Sequence, residues 1–334
     1  MDINDSYRGM FVGLAIGDAL GMPIEFKRVG EFEPLTDMEG GGPFNLPKGY
    51  WTDDTTMALC LADSLIEKKG YDSYDVMDKY WAWRIHGYRS STGKCFDIGN
   101  QTSVALNDYV GSCASTVPID RKRIGDAGNG SVMRLAPVVI ASHASGNTLE
   151  YTMEIARISA RETHYSFEAE QGTALFAALL YNAINIKKKS EIFSYGRYNQ
   201  TEAFIKIKDA IKGLEGRLTD SINPGGYIID SLVTAIWGFV NYNNFKDGAL
   251  AVVNLGGDSD TIGAIYGQLA GAYYGHGAIP KQWVDVLYKT MELKKIAEKL
   301  GSLTNFKIIQ TRFEEDGELC KPRFNKKGRD GSVV

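Results

Sequence analysis

The feature that most constrains this chain is a set of glycines at helical spacing inside an apolar segment. In YRGMFVGLAIGDALGM, residues 7–22, the side chains of Met10, Phe11, Leu14, Ala15 and Leu20 recur near the period of a helix, and Gly13, Gly17 and Gly21 follow one another four residues apart. Such a helix has a bare face open to close packing. Other segments carry the same period: TDDTTMALCLADSLIEKKG, SYDVMDKYWAWRI, NTLEYTMEIARISARET, FEAEQGTALFAALLYNAI and GYIIDSLVTAIWGFVNY. Several are apolar around much of their circumference, which predicts helices surrounded by other helices.

Strand signals are few. NFKIIQTRF near the end is the best, so a small C-terminal β element is expected beside an otherwise all-α fold. Residues 34–50 and 116–132 are too broken by glycine and proline for either period and read as long loops. No composition shift or internal repeat divides the chain, and the expectation is one domain over residues 1–334.

With 37 basic and 41 acidic residues the net charge is −4, which leaves no footprint for general nucleic-acid or anionic-membrane binding. No run of apolar residues is long enough to span a bilayer. Cys60, Cys95, Cys113 and Cys320 lie far apart with no CxxC pair, which suits a reducing, cytoplasmic setting and argues against zinc-thiolate chemistry.

Three clusters carry possible chemistry. WTDDTTMAL places Thr52, Asp53 and Asp54 at a predicted helix start, and LGGDSDTIG places Asp258, Asp260 and Thr261 at another. Each has a plain reading as a helix cap with acids complementing the dipole. Taken together they supply more carboxylates than two caps need, and partly buried like charges destabilise a fold unless a cation neutralises them. A set of oxygens without cysteine or histidine suits Mg²⁺ or Mn²⁺, and four aspartates with two threonines suffice for two ions sharing carboxylates. Both readings remain open at this level. The third cluster, GDAGNGSVMRLAPV, puts Asn129 and Gly130 before a helix expected near Ser131, either a phosphate-holding amide loop or a simple turn.

Outside these clusters, Glu25 reads as a gating carboxylate or a surface acid, and Asp97 as a loop carboxylate or an N-cap. His164 and Tyr227 are aromatic residues at helix starts, structural or ligand-stacking. His276, behind an apolar helix, is expected to cap that helix. His86 and His143 have no partner that the sequence identifies.

GLAIGDALGMPIEF, WTDDTTMAL, FDIGNQT, GNGSVMRLAPV, the TH pair at 163–164, GYIIDSLVTAIW and GGDSDTIGAIYGQLAGAYYG, over about residues 8–285, together resemble the ADP-ribosylglycohydrolase family, with the dinitrogenase reductase-activating glycohydrolases as its bacterial type. The resemblance implies an orthogonal all-α bundle with a binuclear Mg²⁺ or Mn²⁺ site that removes ADP-ribose from a modified acceptor. It implies Thr52, Asp53, Asp54, Asp258, Asp260 and Thr261 as metal ligands. Asn129, Gly130 and Ser131 would lie against the diphosphate, His164 beside the nucleotide, Tyr227 near the adenosine, and Glu25 above the metals as a gate. Asp97 would face the distal ribose, which leans toward an ADP-ribosylated protein modified on arginine; serine, poly(ADP-ribose) or base linkages, and a non-catalytic binder of ADP-ribose, are the alternatives. Asp53 or Asp54 would act as base. Residues 286–334 fall largely outside the resemblance and read as an appended element ending in a basic tail.

Overall fold

A computed structural model describes residues 2–111, 127–186, 188–196 and 201–312. Thirteen α-helices occur among them: α1 (Ile3–Gly21), α2 (Asp53–Lys68), α3 (Ser73–His86), α4 (Asn100–Tyr109), α5 (Ala136–Ala144), α6 (Leu149–Arg161), α7 (Phe167–Asn185), α8 (Glu202–Ala210), α9 (Ile228–Asn241), α10 (Phe245–Val253), α11 (Ser259–Tyr274), α12 (Lys281–Val286) and α13 (Thr290–Gly301). Two short strands, β1 (Tyr71–Asp72) and β2 (Ile308–Gln310), and short 3₁₀ turns such as Met22–Ile24 and His276–Ala278 accompany them. The fold class is all-α, and among the described residues no helix is long and apolar enough to cross a membrane.

The glycine face of α1 meets a second glycine face on α11. Gly9, Gly13 and Gly17 lie against the backbone of Gly271, Gly267 and Gly263, and Gly21 against that of Ser259, so the two helices run antiparallel in direct backbone contact. A side chain at any of these glycines would enter the partner's peptide groups. Both helices are buried on nearly all sides, as expected of helices without a polar face. This pairing brings the last turn of α1 to the first turn of α11, which fixes where the acidic residues on both ends meet.

The C-terminal strand forms, and its partner is distant in sequence: β2 pairs in parallel with β1, Tyr71 opposite Ile308. Gln310 closes the pairing by donating from Nε2 to both carboxylate oxygens of Asp72 at 2.7 Å. Two expectations require correction. The helix expected near Ser131 begins at Ala136, because residues 131–134 form turns and Pro137 sets the first helical turn. His276 does not cap α11. Gly275 ends that helix at φ 86°, and the Nε2 of His276 has no hydrogen-bond partner among the described residues. His143 does find partners, Tyr7 Oη at Nδ1 and Asn185 Nδ2 at Nε2, both 2.8 Å away. Cys60 and Cys95 are free thiols; Cys113, Cys320, residues 116–126 and the basic tail lie outside the described residues.

Candidate active site

The cap reading of the two acidic clusters fails on geometry. Thr52 and Asp258 occupy the N-cap positions of α2 and α11, yet neither side chain accepts a capping hydrogen bond from a backbone N–H of its own helix. Instead, Asp18 from the last turn of α1 takes over the start of α2. Its carboxylate accepts from Thr52 N (2.9 Å), Thr52 Oγ1 (3.0 Å), Thr55 N (3.0 Å) and Thr55 Oγ1 (2.6 Å). The sequence offered no role for Asp18. Its signal was a carboxylate embedded in an apolar helix, which demands partners once buried.

The convergence of charge is dense. Thr52 Oγ1 lies 3.0 Å from Asp18 Oδ1, 3.0 Å from Asp54 Oδ2 and 3.2 Å from Asp260 Oδ2. A hydroxyl has one proton, so at most one of these three carboxylates receives it and the others face oxygen lone pairs. Asp54 Oδ1 and Glu25 Oε2, both buried, accept no hydrogen bond among the described residues. Oxygens of Asp18, Asp54 and Asp260 lie within 4.8 Å of one another, and so do oxygens of Glu25, Asp97 and Asp260. Asp260 is common to both groups. Two neighbouring oxygen cages joined by one carboxylate fit a pair of hard divalent cations.

The acid–base state of the cluster carries the same imprint. Burial, followed by the charges of neighbouring carboxylates, pushes Asp53, Asp54 and Asp260 well above the ordinary carboxylate range. Burial lifts Asp18 to about 6 against its four hydrogen bonds. Glu25 rises to about 10 through burial and then Asp97, and Asp97 to about 7 through burial and then Asp18. Asp97 also sits at φ 58°, a left-handed conformation that an aspartate adopts at a cost of ~1–3 kcal/mol. It does not cap α4, whose N-cap is Gly99.

The glycine loop approaches from the other side. Asn129 Nδ2 donates to Asp258 Oδ2 (2.6 Å) and to Ser231 Oγ (2.9 Å), tying the loop to the acidic cluster. Backbone bonds from Asn129 N to Gly226 O (3.1 Å) and from Ile228 N to Ala127 O (2.9 Å) lay the loop beside Tyr227. The Ser131 hydroxyl pairs with Thr173 Oγ1 at 2.8 Å. The open donors at this loop are therefore amides, those of Gly130 and Ser131, which meet no acceptor among the described residues. His164 packs directly on the loop, with Cε1 2.6 Å from where a Cβ on Gly130 would stand. The Tyr227 ring is half-buried; its hydroxyl donates to Glu168, and Lys206 reaches the same hydroxyl at 3.1 Å.

An acidic cluster that could hold a metal ion, bordered by an amide loop and two aromatic side chains, is the setting into which comparison with known proteins falls. The ADP-ribosylglycohydrolase profile matches residues 1–307. The chain belongs to the ADP-ribosylglycohydrolase family. An ADP-ribosylarginine hydrolase of Serratia proteamaculans is 38% identical over 296 residues, covering 89% of this chain and 79% of that protein. The ADP-ribosyl-[dinitrogen reductase] glycohydrolase of Rhodospirillum rubrum is 30% identical, over 90% and 96% of the two chains. Among solved structures, an ADP-ribosylglycohydrolase-related protein complex matches with a TM-score of 0.74 and 38% identity, over 91% of this chain and 99% of that one. As a glycohydrolase of this family, the chain is an enzyme, and the pocket between α1, α2, α11 and the glycine loop is its candidate active site.

Proposed function

We propose that this glycohydrolase hydrolyses the N-glycosidic bond joining ADP-ribose to an arginine side chain of a modified cytoplasmic protein, with Thr52, Asp53, Asp54, Asp258, Asp260 and Thr261 holding two divalent cations, Mg²⁺ or Mn²⁺. The observation that carries this reading is the sharing of Asp260 between two adjoining carboxylate groups, Asp18–Asp54–Asp260 and Glu25–Asp97–Asp260, of which Asp54 and Asp260 belong to the proposed ligand set, while Thr52, Asp53, Asp258 and Thr261 enter it through the family resemblance. When bound, such ions supply Lewis-acid polarisation of ribose hydroxyls and a water acidic enough to attack near neutral pH. Asp18 keeps Thr52 and the first turn of α2 in register with that cage.

The remaining residues divide the ligand between them. The amides of Gly130 and Ser131 receive the diphosphate while Asn129 fixes the loop to Asp258. His164 contacts the nucleotide beside it, and Tyr227 offers its ring to the adenosine. Asp97 orients the distal ribose and pairs with the departing guanidinium. Asp53 or Asp54 accepts the proton of the attacking water, and the surrounding carboxylates stabilise the positive charge that develops on the anomeric carbon. Glu25 closes over this centre. The arginine linkage gains support from the relatives named ADP-ribosylarginine hydrolase at 38% and 36% identity.

The test is to incubate the protein with Mg²⁺ or Mn²⁺ and, separately, arginine-, serine- and base-linked ADP-ribose, and to follow free ADP-ribose. Release from the arginine conjugate alone is expected. Preferential release from either of the others would overturn the substrate reading, and AMP with ribose 5-phosphate as products would overturn the reaction.

A further inference from the structure

Behind His164 lies a chain of buried groups whose hydrogen-bond polarity is fixed by chemistry. Arg134, Thr163 and His164 are all nearly inaccessible, at 0%, 1% and 3% exposure. Arg134 Nη2 donates to Thr163 Oγ1 at 2.6 Å, and Thr163 Oγ1 lies 2.8 Å from His164 Nδ1. A guanidinium never accepts a proton bond, so the Thr163 hydroxyl must send its own proton elsewhere. Among the described residues its only acceptor within reach is Nδ1 of His164. The alternative leaves a buried O–H without a partner, which native interiors avoid.

The histidine that results carries its proton on Nε2. That atom makes no hydrogen bond among the described residues and faces the glycine loop, 2.9 Å and 3.4 Å from where Cβ atoms on Gly130 and Gly128 would stand. We propose that Arg134 and Thr163 are positioning residues that hold His164 as the Nε2–H tautomer, so that its free donor meets an anionic oxygen of the ligand's diphosphate. Arg134 adds a fixed positive charge behind that donor. It has no carboxylate within ion-pair distance among the described residues, and its other neighbours are the Tyr80 ring at 4.8 Å and Met57 Sδ at 3.7 Å. Burial, and then this guanidinium, push His164 down to about 3, so the ring stays neutral and keeps a lone pair on Nδ1 for Thr163.

The inference rests on the proposed contact of His164 with ADP-ribose, and the experiment separates the two. The chain has four histidines, so ¹⁵N-histidine labelling with His164→Gln as the assigning variant resolves this ring by NMR. The expected spectrum is a protonated Nε2 and an unprotonated Nδ1 at neutral pH; an Nδ1–H ring would overturn the relay. Thr163→Val should weaken ADP-ribose binding by about tenfold in calorimetry, the effect of one hydrogen bond to a charged group, while Thr163→Ser keeps it. Wild-type affinity in Thr163→Val would also overturn the relay. No binding of ADP-ribose by the wild-type protein, or unchanged affinity in His164→Gln, would overturn the functional reading instead, and the tautomer would still decide the relay.

Discussion

Replacing Gly17 by alanine should cost this enzyme more activity than stability. The new Cβ would stand 2.8 Å from Ala264 N and closer still to the carbonyl of Gly263, where ordinary contact begins at 3.4 Å. Both obstacles are backbone, and the Gly263 carbonyl oxygen would be only 1.9 Å away, so relief requires α1 and α11 to part by about an ångström. Overpacking of this kind costs ~1–3 kcal/mol, a fall in Tm on the order of 1–4 °C for a chain of this size. The site tolerates much less. Metal-ligand distances hold within about 0.2 Å, and Asp18 and Asp260 lie on the two helices being separated, so Mg²⁺ affinity and turnover should both fall by at least about tenfold. The assay pairs a thermal melt with a metal titration of hydrolysis. Gly277→Ala, whose Cβ would meet only Asp5 Oδ2 at 3.9 Å, is the control and should match wild type in both. A Gly17→Ala protein with wild-type Tm and metal dependence would refute the argument that backbone contact sets the geometry of the site.

Other consequences are open to direct measurement. Thr52→Val removes the oxygen that three carboxylates share and should weaken metal binding by about 10- to 100-fold, while Asp54→Ala and Asp260→Ala should abolish turnover; wild-type rates in either aspartate variant would dismiss the proposed ligand set. In metal-free protein, Asp18 and Asp97 are lifted to about 6 and about 7, above the ~4 of an unfolded carboxylate. The folded state therefore holds protons that the unfolded chain has released. Their stabilisation is complete below pH ~4 and is lost as pH rises through 6 to 7. Added Mg²⁺ should raise Tm more at pH 8 than at pH 5, and an equal rise at both would contradict the charge assignment. Tyr227→Ala should weaken ADP-ribose binding by ~1–3 kcal/mol if the ring stacks on the base; unchanged calorimetric affinity would return Tyr227 to a purely structural role.

What the sequence disclosed, it disclosed through spacing and residue type. Glycines four apart in an apolar helix announced a close backbone neighbour, and the paired acidic helix starts announced a charge problem that single caps do not create. It could not show that the partner of α1 was α11, because GAIYGQLAGAYYG reads as an ordinary apolar helix until its glycines are set against another set. Asp18 stands out beside Glu25 in GDALGMPIEF but receives no role from the sequence, because it lies inside a helical pattern, where a polar residue has no local mark of function. The helix after the glycine loop was expected too early, although Pro137 marked its first turn. The strand at Tyr71–Asp72 spans two residues, too few for any period, and exists through a partner more than two hundred positions away. Arg134 and Thr163 stood inside quoted motifs but showed no role there, since the one argued for them rests on hydrogen-bond direction in a buried space.

The helix pair at the heart of the molecule also dictates when the enzyme can first work. Ser259 Oγ bonds to the carbonyl of Gly21 across 238 residues of chain. At synthesis rates of about 5–20 residues per second, α1 waits roughly 10 to 50 s on a translating ribosome before its mate exists. Throughout that interval an apolar, ridgeless helix and half of a cation cage are exposed to the cell. Such a nascent chain is a natural client for chaperones, and its power to erase a modification waits until α11 has been made.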